Sequence, residues 1–205
     1  MGIGADQLRE SLDALAMIEP AFAPVIGRIG YPPPRILDRG FETLLRAIVG
    51  QQVSIKAAAS ILAKVDAATG GIADPENVAR TSDETLRAAG LSRQKIAYVK
   101  SLAQEAITGG IEFERLPEDD EAAVVLLTRA KGIGRWTAEV YLIFAEGRRD
   151  IFPAGDLAVQ VELGRILGLD ERPTEKKVRE LAEPWRPHRG AAAIFAWHHR
   201  HVVPV

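Results

Sequence analysis

A glycine turn between two predicted helices is the first place in this sequence where residue types and spacing could do chemistry. Residues 126–138 read Leu-Leu-Thr-Arg-Ala-Lys-Gly-Ile-Gly-Arg-Trp-Thr-Ala. We expect Gly132 and Gly134 to allow unusual φ angles and the close approach of another backbone. Amide groups at the start of the second helix would face outward beside a positive dipole end, which suits a DNA phosphate. Lys131 and Arg135 would add positive charge, although a glycine turn taken alone is more often an ordinary link between helices.

A loop further along the chain ends in an aspartate at the start of another predicted helix. It reads Phe-Pro-Ala-Gly-Asp over residues 152–156, and helical periodicity begins immediately afterwards. Asp156 is well placed to cap that helix, because an aspartate carboxylate readily accepts hydrogen bonds from the first amide groups. Taken alone, the loop predicts a capping residue and no chemistry.

Helical periodicity covers most of the chain, whereas strand signals are scarce. It predicts helices over residues 6–18, 41–49, 54–67, 93–107, 117–127, 135–145, 156–167, 174–182 and 190–200, with a short one ending at residue 90. Ser54 and Ser92 are predicted N-caps, and Thr81 with Glu84 is predicted to form a capping box. Pro117 is expected to open its helix. The predicted fold class is all-α, with about ten helices.

Composition excludes several classes of protein. The 205 residues contain no cysteine, which excludes a disulfide framework, a cysteine-ligated zinc and a cysteine-ligated iron–sulfur cluster. No apolar run is long enough to span a bilayer, and the amino-terminal residues lack the features of a secretory signal, so we expect a cytoplasmic protein. The net charge of −2 argues mildly against binding to a phosphate backbone.

The charges are nevertheless unevenly distributed. Six acids fall within residues 112–121, whereas residues 184–205 contain no acid and hold all four histidines. Three of those histidines (His198, His199 and His201) are interpreted as part of a cationic edge rather than a transition-metal site, because adjacent histidines diverge on a helix. Basic residues also group without intervening acids at Arg129, Lys131 and Arg135, and at Arg93, Lys95 and Lys100. One cationic face is compatible with this distribution.

The glycine turn and the later aspartate loop together resemble the signature of the helix-hairpin-helix, Gly/Pro-Asp DNA glycosylase superfamily. Residues 41–54, 132–138 and 185–189, the last leading to Trp197, are similar to the 3-methyladenine DNA glycosylase II branch. The resemblance spans residues 40–200 and implies a compact form without an amino-terminal β lobe. It implies one domain of two helical lobes around a DNA-binding cleft. Residues 40–145 would form the central lobe, including the hairpin at 126–138, and residues 1–39 with 146–205 would form the second.

The resemblance also implies an activity. Members of this family bind damaged duplex DNA, flip one nucleotide out and hydrolyse its N-glycosidic bond. The branch implies release of alkylated purines of the 3-methyladenine and 7-methylguanine type, which initiates base excision repair. Asp156 matches the catalytic aspartate, whose carboxylate would stabilise positive charge on the deoxyribose and orient or deprotonate the attacking water.

Two tryptophans match positions at the base pocket. Trp136 stands where bifunctional members carry a lysine that forms a Schiff base, so the resemblance implies a monofunctional enzyme without lyase activity. Its indole would instead stack on a flipped, cationic purine. Trp197 matches another pocket aromatic, and ordinary core packing is the alternative for both residues. Lys131 departs from the family pattern, in which proline is common there.

The remaining implied contacts are with DNA and a cation. Gln51 and Gln52 match the loop that supplies a wedge into the duplex, with Gln52 at the wedge position; a solvated turn is the alternative. Phosphate-binding residues are expected at Lys131, Gly132, Gly134, Arg135 and Thr137. In relatives the hairpin holds a monovalent Na⁺ or K⁺ ion through backbone carbonyls, and the matching residues are Thr128, Ala130 and Ile133.

We expect no required organic cofactor, because hydrolysis of a weakened glycosidic bond needs only water and a carboxylate, and the lack of cysteine excludes an iron–sulfur cluster. The expected partner is double-stranded DNA with damaged bases, bound by a monomer near the nucleoid, and no membrane is expected. Three alternatives remain open. They are a glycosylase for deaminated or mismatched bases, a DNA-binding module without chemistry, and an all-α scaffold with no DNA role.

Overall fold

The computed structural model describes residues 2–203 of the chain, and every regular element within that range is helical. The predicted all-α class is therefore confirmed. The α-helices are α1 (Ala5–Ile18), α2 (Phe22–Ile29), α3 (Phe41–Gly50), α4 (Ile55–Thr69), α5 (Pro75–Arg80), α6 (Asp83–Ala88), α7 (Arg93–Ile107), α8 (Asp120–Leu127), α9 (Arg135–Tyr141), α10 (Leu157–Ile166), α11 (Glu175–Ala182) and α12 (Arg189–Val202). A π-helical turn at Leu142–Glu146 follows α9, and a 3₁₀ turn at Glu183–Trp185 follows α11. Of these helices, none is both long and apolar enough to cross a membrane.

The chain divides into two compact units. The central unit is the continuous segment Asp38–Tyr141, and the terminal unit combines the residues up to Leu37 with those from Leu142 onward. The lobe boundaries expected from the sequence lie a few residues away from these positions, at 39/40 and 145/146.

The core of the central unit forms where α3 packs against α7. The apolar face of α3 is buried, and both Leu45 and Ile48 are fully inaccessible to solvent. Ile96, Val99 and Leu102 form the matching buried stripe of α7. Burial of each such side chain contributes about 1.5–3 kcal/mol, so this contact fixes the end of α3 relative to α7.

The core of the terminal unit is an aromatic cluster. Phe22 of α2 packs edge-on against Trp185 with ring centroids 5.4 Å apart, and against Phe195 of α12 at 5.9 Å. Phe152 also meets Trp185 edge-on, at 6.4 Å. Because aromatic side chains bury large areas, this cluster anchors the loop that leads to α10.

Two helices were missing from the sequence-based prediction. The sequence of α2 contains Pro24 and Gly27, which obscure its periodicity. Helix α5 has only six residues, and its start is signalled by the Asp74 cap and by Pro75 at its first position. The predicted helix over residues 135–145 also changes character, because its second half is the π-helical turn.

The predicted caps were partly right. Ser54 and Ser92 each accept a hydrogen bond at 3.2 Å, from the Ala57 and Lys95 amides respectively, so both predictions are confirmed. The capping box at Thr81 is wrong. Ser82 caps α6 instead, and its hydroxyl accepts from the Thr85 amide.

Pro117 does not open a helix. Helix α8 begins three residues later, at Asp120, where the Asp119 carboxylate accepts a hydrogen bond from the Ala122 amide at 2.7 Å. Aspartate is the stronger helix-start signal here. Its carboxylate accepts a hydrogen bond from an unpaired amide of the first turn, whereas proline only lacks an amide of its own.

Candidate functional site

The hairpin between α8 and α9 lies in the central unit and depends on one glycine. Gly132 has φ +89°, and a Cβ atom there would lie 2.3 Å from a ring carbon of Tyr98. Only glycine fits this position without strain. The unusual φ expected for Gly134 is wrong, because its φ is not in the left-handed region, and no neighbouring atom of the protein lies within 4 Å of a Cβ placed there.

Helix α7 supports the hairpin through two residues on one of its faces, Tyr98 and Ser101. The Tyr98 ring packs against Gly132, and the Tyr98 hydroxyl accepts a hydrogen bond from Gln94 Nε2 at 2.5 Å. One turn further along, Ser101 Oγ accepts a hydrogen bond from the Lys131 amide at 3.0 Å. Residues three and four apart share one face of a helix, so α7 presents a continuous support to the turn.

Carboxylates reach two of the three basic residues around the hairpin. Arg135 donates two hydrogen bonds to Glu121, at 2.7 and 2.6 Å, and a third to Glu139 at 2.9 Å. The bidentate Glu121 contact is the main reason that the pKa of Arg135 is raised. Arg129 Nε lies 3.8 Å from a Glu105 oxygen. These basic residues have no acidic residue between them in the sequence, but in the folded protein two of them have acidic neighbours.

The other predicted hairpin residues differ in exposure. Lys131 and Gly134 are exposed, Thr137 and Thr128 are half-buried, and Ala130 and Ile133 are buried. The Ala130 carbonyl accepts a hydrogen bond from the Ile133 amide at 3.0 Å. A carbonyl has a second lone pair, so this contact leaves the oxygen able to ligate a cation.

The loop after α3 has a strained backbone. Gln52 has φ +55°, in the left-handed region that non-glycine residues rarely adopt, and its side chain is exposed. Such a conformation costs about 1 kcal/mol or more and persists only where neighbouring contacts impose it. Gln51 supplies one such contact, because its Nε2 donates a hydrogen bond to the Gly132 carbonyl at 2.9 Å. The predicted wedge loop is thus bound directly to the hairpin.

Lys95 supplies two further contacts to this loop. Its ammonium group donates hydrogen bonds to the carbonyls of Val49 and Gln51, both at 2.7 Å. Burial lowers the pKa of Lys95. The loop, the hairpin and α7 together line a polar recess of about 400 Å³, formed by residues 51, 52, 92, 94, 95, 98 and 132–134.

Asp156 lies in the terminal unit, and the backbone around it fixes its carboxylate. Asp156 Oδ1 accepts a hydrogen bond from the Val159 amide at 2.9 Å, so the predicted N-cap of α10 is confirmed. The Asp156 amide donates to the Pro153 carbonyl at 2.9 Å. Gln160 Nε2 braces the same loop by donating to the Ala154 carbonyl at 2.8 Å. Asp156 itself is half-buried, so its carboxylate is both held in place and partly accessible.

The two tryptophans have different surroundings. Trp136, on α9 of the central unit, is 51% exposed, so it is not a core residue. Trp197, on α12 of the terminal unit, is half-buried, and its ring centroid lies 5.6 Å from that of Phe144. The Arg35 guanidinium covers the same Phe144 ring at 5.0 Å.

The residues between Trp185 and Arg189 anchor the start of α12. Trp185 is a core residue. Arg186 and Arg189 both donate to the Asp150 carboxylate, at 2.6 Å and at 2.8–2.9 Å. Sequence reasoning missed Asp150, because its partners lie more than thirty residues away along the chain.

The histidines of α12 do not form one edge. His199 is buried, with Nδ1 2.8 Å from Glu162, and His198 is half-buried, whereas His201 is exposed. The expectation of a cationic edge is therefore wrong for His199. Among residues 2–203 there is no group of three or more histidine, cysteine or acidic side chains that could hold a metal ion.

Comparison with known proteins shows the family to which the chain belongs. Residues 45–187 match the model of the HhH-GPD superfamily base excision DNA repair protein. The chain belongs to this superfamily. The matched residues include the wedge loop, the hairpin and Asp156, and they exclude Trp197.

Individual members of the HhH-GPD superfamily are similar over most of the chain. DNA-3-methyladenine glycosylase 1 of Schizosaccharomyces pombe is 37% identical, covering 82% of this chain and 76% of that protein. The crystal structure of DNA-3-methyladenine glycosidase from Bacillus halodurans superposes with a TM-score of 0.85 at 30% identity, covering 92% and 88% of the two chains. The S. pombe 3-methyladenine DNA glycosylase in complex with abasic DNA gives a TM-score of 0.79 at 32% identity, covering 95% and 98%.

Proposed function

We propose that this HhH-GPD protein is a monofunctional DNA glycosylase that excises alkylated purines from duplex DNA. Asp156 carries the proposal, because it is a half-buried aspartate that is fixed by its own helix, within the residues that match the superfamily model. The names of the similar proteins support the alkylated-purine class. Base release leaves an abasic site, and the S. pombe enzyme was solved with abasic DNA.

The Asp156 carboxylate performs the chemistry in this proposal. As the bond between C1′ and the purine nitrogen breaks, its electron pair leaves with the base and positive charge develops on the deoxyribose. A fixed carboxylate stabilises that charge. Water then adds its oxygen to C1′ and gives a proton to the carboxylate. A purine that is cationic through N-alkylation departs neutral, so no acid is needed to protonate it, and no organic cofactor is proposed.

Trp136 supports the monofunctional assignment. A lyase step needs an amine that attacks C1′ to form a Schiff base, and an indole cannot do this. A half-exposed indole offers a face on which a flipped cationic purine could stack. We propose the same kind of contact for Trp197.

DNA binding is proposed for the hairpin and the wedge loop of the central unit. Gln52 would enter the duplex at the vacated position, beside Gln51. Phosphate would be met by Lys131, Gly132, Gly134 and Thr137, and by Arg135 once it exchanges Glu121 for phosphate. The carbonyls of Thr128, Ala130 and Ile133 are the ligand type that suits Na⁺ or K⁺, and a cation there would add positive charge for phosphate.

The experiment uses duplex DNA methylated in vitro. Released 3-methyladenine and 7-methylguanine are quantified, and strand nicking is scored before and after alkali, for the wild type and Asp156→Asn. Asp74→Asn is the matched control, because Asp74 also caps a helix, accepting from the Glu76 amide at 2.8 Å. Release by the wild type and by the control, loss in Asp156→Asn, and nicks only after alkali are expected.

Other outcomes contradict separate parts of the proposal. Nicking without alkali would contradict the monofunctional assignment and point to Lys131. Failure to release either methylated base, with release from duplexes carrying deaminated bases, would replace the substrate class. If the wild type releases no base, while both it and Asp156→Asn bind DNA in a salt-dependent way, the protein would be a DNA-binding module without chemistry.

A further inference from the structure

The ammonium group of Lys95 is used within the protein. Its two hydrogen bonds go to the Val49 and Gln51 carbonyls, which stand at the carboxyl-terminal end of α3. The last carbonyls of a helix lack partners within the helix and carry partial negative charge, so a cation there satisfies both needs. Lys95 lies on a different helix, α7, and so ties the end of α3 to it.

The loop that contains and follows these two carbonyls needs support, because its backbone is strained. Gln52 follows immediately, in its left-handed conformation. With Lys95 holding the Gln51 carbonyl and the Gly132 carbonyl holding the Gln51 side chain, both ends of Gln51 are fixed. The left-handed conformation of Gln52, the next residue, is therefore imposed by contacts from outside the loop.

The same face of α7 also supports the hairpin. Lys95, Tyr98 and Ser101 are spaced at three-residue intervals, and they contact the wedge loop, Gly132 and the Lys131 amide in that order. The shape of the wedge loop and that of the hairpin are consequently set by one rigid element.

We propose that Lys95 is a positioning residue, which holds the Gln51–Gln52 loop in the shape required for Gln52 to enter the duplex and does not bind DNA phosphate. The proposal rests on the proposed function, since only a base-flipping enzyme needs such a wedge. Lys95 acts through Gln52 and touches no reacting atom.

The test uses three variants of the full chain. Lys95→Met keeps the aliphatic stem and removes the donors, whereas Lys95→Arg keeps a cation that can donate to two carbonyls. Lys100→Met is the matched control, because it removes the same charge from α7, and Lys100 pairs with Asp83 at 2.6 Å instead of with the loop.

Three quantities are measured for each variant. The first is the fluorescence of a 2-aminopurine base placed opposite a tetrahydrofuran abasic analogue. This fluorescence rises when a wedge disturbs the stacking of 2-aminopurine on its neighbours. The second is the single-turnover rate of methylated-base release at saturating protein. The third is the slope of log K against log salt for the abasic duplex, with the melting temperature as a check on folding.

We expect Lys95→Met to lose most of the fluorescence rise and to release base about tenfold more slowly or worse, because misplaced groups lose rate steeply. Its salt slope should match the wild type. Lys95→Arg should recover much of both signals, and Lys100→Met should leave the fluorescence and the rate unchanged.

Several results would overturn the inference. A salt slope smaller by about one in Lys95→Met would identify Lys95 as a phosphate contact. Unchanged fluorescence and rate would remove the positioning role, and so would losses that merely follow the unfolded fraction. If the wild type itself releases no base but still raises the fluorescence, the proposed function fails while the role of Lys95 remains measurable on abasic DNA.

Discussion

The central and terminal units hold their candidate site residues in two different ways. In the terminal unit, Asp156 is fixed by the Val159 amide and the Pro153 carbonyl, each three residues away, and Gln160 of the same helix braces its loop. In the central unit, the wedge loop and the hairpin are fixed mainly by Lys95, Tyr98 and Ser101 of α7. Lys95 is 44 residues from Gln51, and Ser101 is 30 residues from Lys131. Substitutions should therefore act locally around Asp156 and at long range around Gln52.

The largest expected effect concerns Asp156 and separates its capping role from its chemistry. Asparagine caps helices as well as aspartate, so Asp156→Asn should leave the unfolding free energy nearly unchanged. It should lower single-turnover base release by about a hundredfold or more, because the charge that stabilises the sugar is removed. Asp156→Ala should lose the same activity and a further stability of about 1 kcal/mol.

Urea titration and base release measured on the same samples check this prediction. Asp74→Ala controls for loss of a cap elsewhere, since it should cost similar stability and no activity. If Asp156→Asn kept its activity, the local fixation of Asp156 would be structural only, and the contrast between the two units would lose its functional meaning.

The next effect tests how strongly α7 constrains the hairpin. Gly132→Ala forces a non-glycine residue to φ +89° and places Cβ within 2.8 Å of three Tyr98 atoms. We expect a loss of about 2 kcal/mol in unfolding free energy, a drop in melting temperature of about 4–8 °C, and weaker DNA binding. Gly134→Ala is the control and should change stability by less than about 0.5 kcal/mol, because that site is open. Equal effects at both glycines would contradict the support assigned to Tyr98.

A smaller effect concerns the wedge loop. Gln52→Gly removes the side chain but relieves the left-handed strain, so stability should change by less than about 1 kcal/mol. Base release should fall about tenfold, because nothing fills the vacated position in the stack. Gln52→Leu keeps the bulk without the amide and should stay within about threefold of the wild type. A Leu variant as slow as the Gly variant would instead assign the role to the amide.

These two regions also explain what the sequence could and could not predict. Helix α10 and its Asp156 cap follow from residues that are adjacent in sequence, so periodicity and cap preference were sufficient. Ser54 and Ser92 were predicted for the same reason. The support from α7 was not predicted, because nothing in the residues around Lys95 says that its ammonium group reaches the end of α3. The three-residue spacing of Lys95, Tyr98 and Ser101 places them on one face of α7. It indicates their supporting role only when α7 is known to lie beside the hairpin.

The same limit applies to charge. Arg129, Lys131 and Arg135 form a basic group in sequence, yet Glu121 reaches Arg135 from α8 and Glu105 approaches Arg129 from α7. Tertiary contacts thus lower the positive charge that the hairpin offers. We therefore expect Arg135 to offer less positive charge to a phosphate than Lys131 does.

The smallest expected effect follows from that ion pair. Glu121→Gln removes the carboxylate that holds Arg135 in two hydrogen bonds, while Glu139 still fixes the guanidinium Nε. Because the pair is exposed, stability should change by less than about 1 kcal/mol. The released Nη1 and Nη2 groups of Arg135 can meet a phosphate, so affinity for undamaged duplex should rise a few-fold at low salt, and the salt slope should steepen by about 0.9. Glu42→Gln, which breaks the exposed pair with Arg46, should change neither quantity. An unchanged slope in Glu121→Gln would mean that Arg135 is a structural residue of α9, and the phosphate contacts of the hairpin would then rest on Lys131 and the backbone.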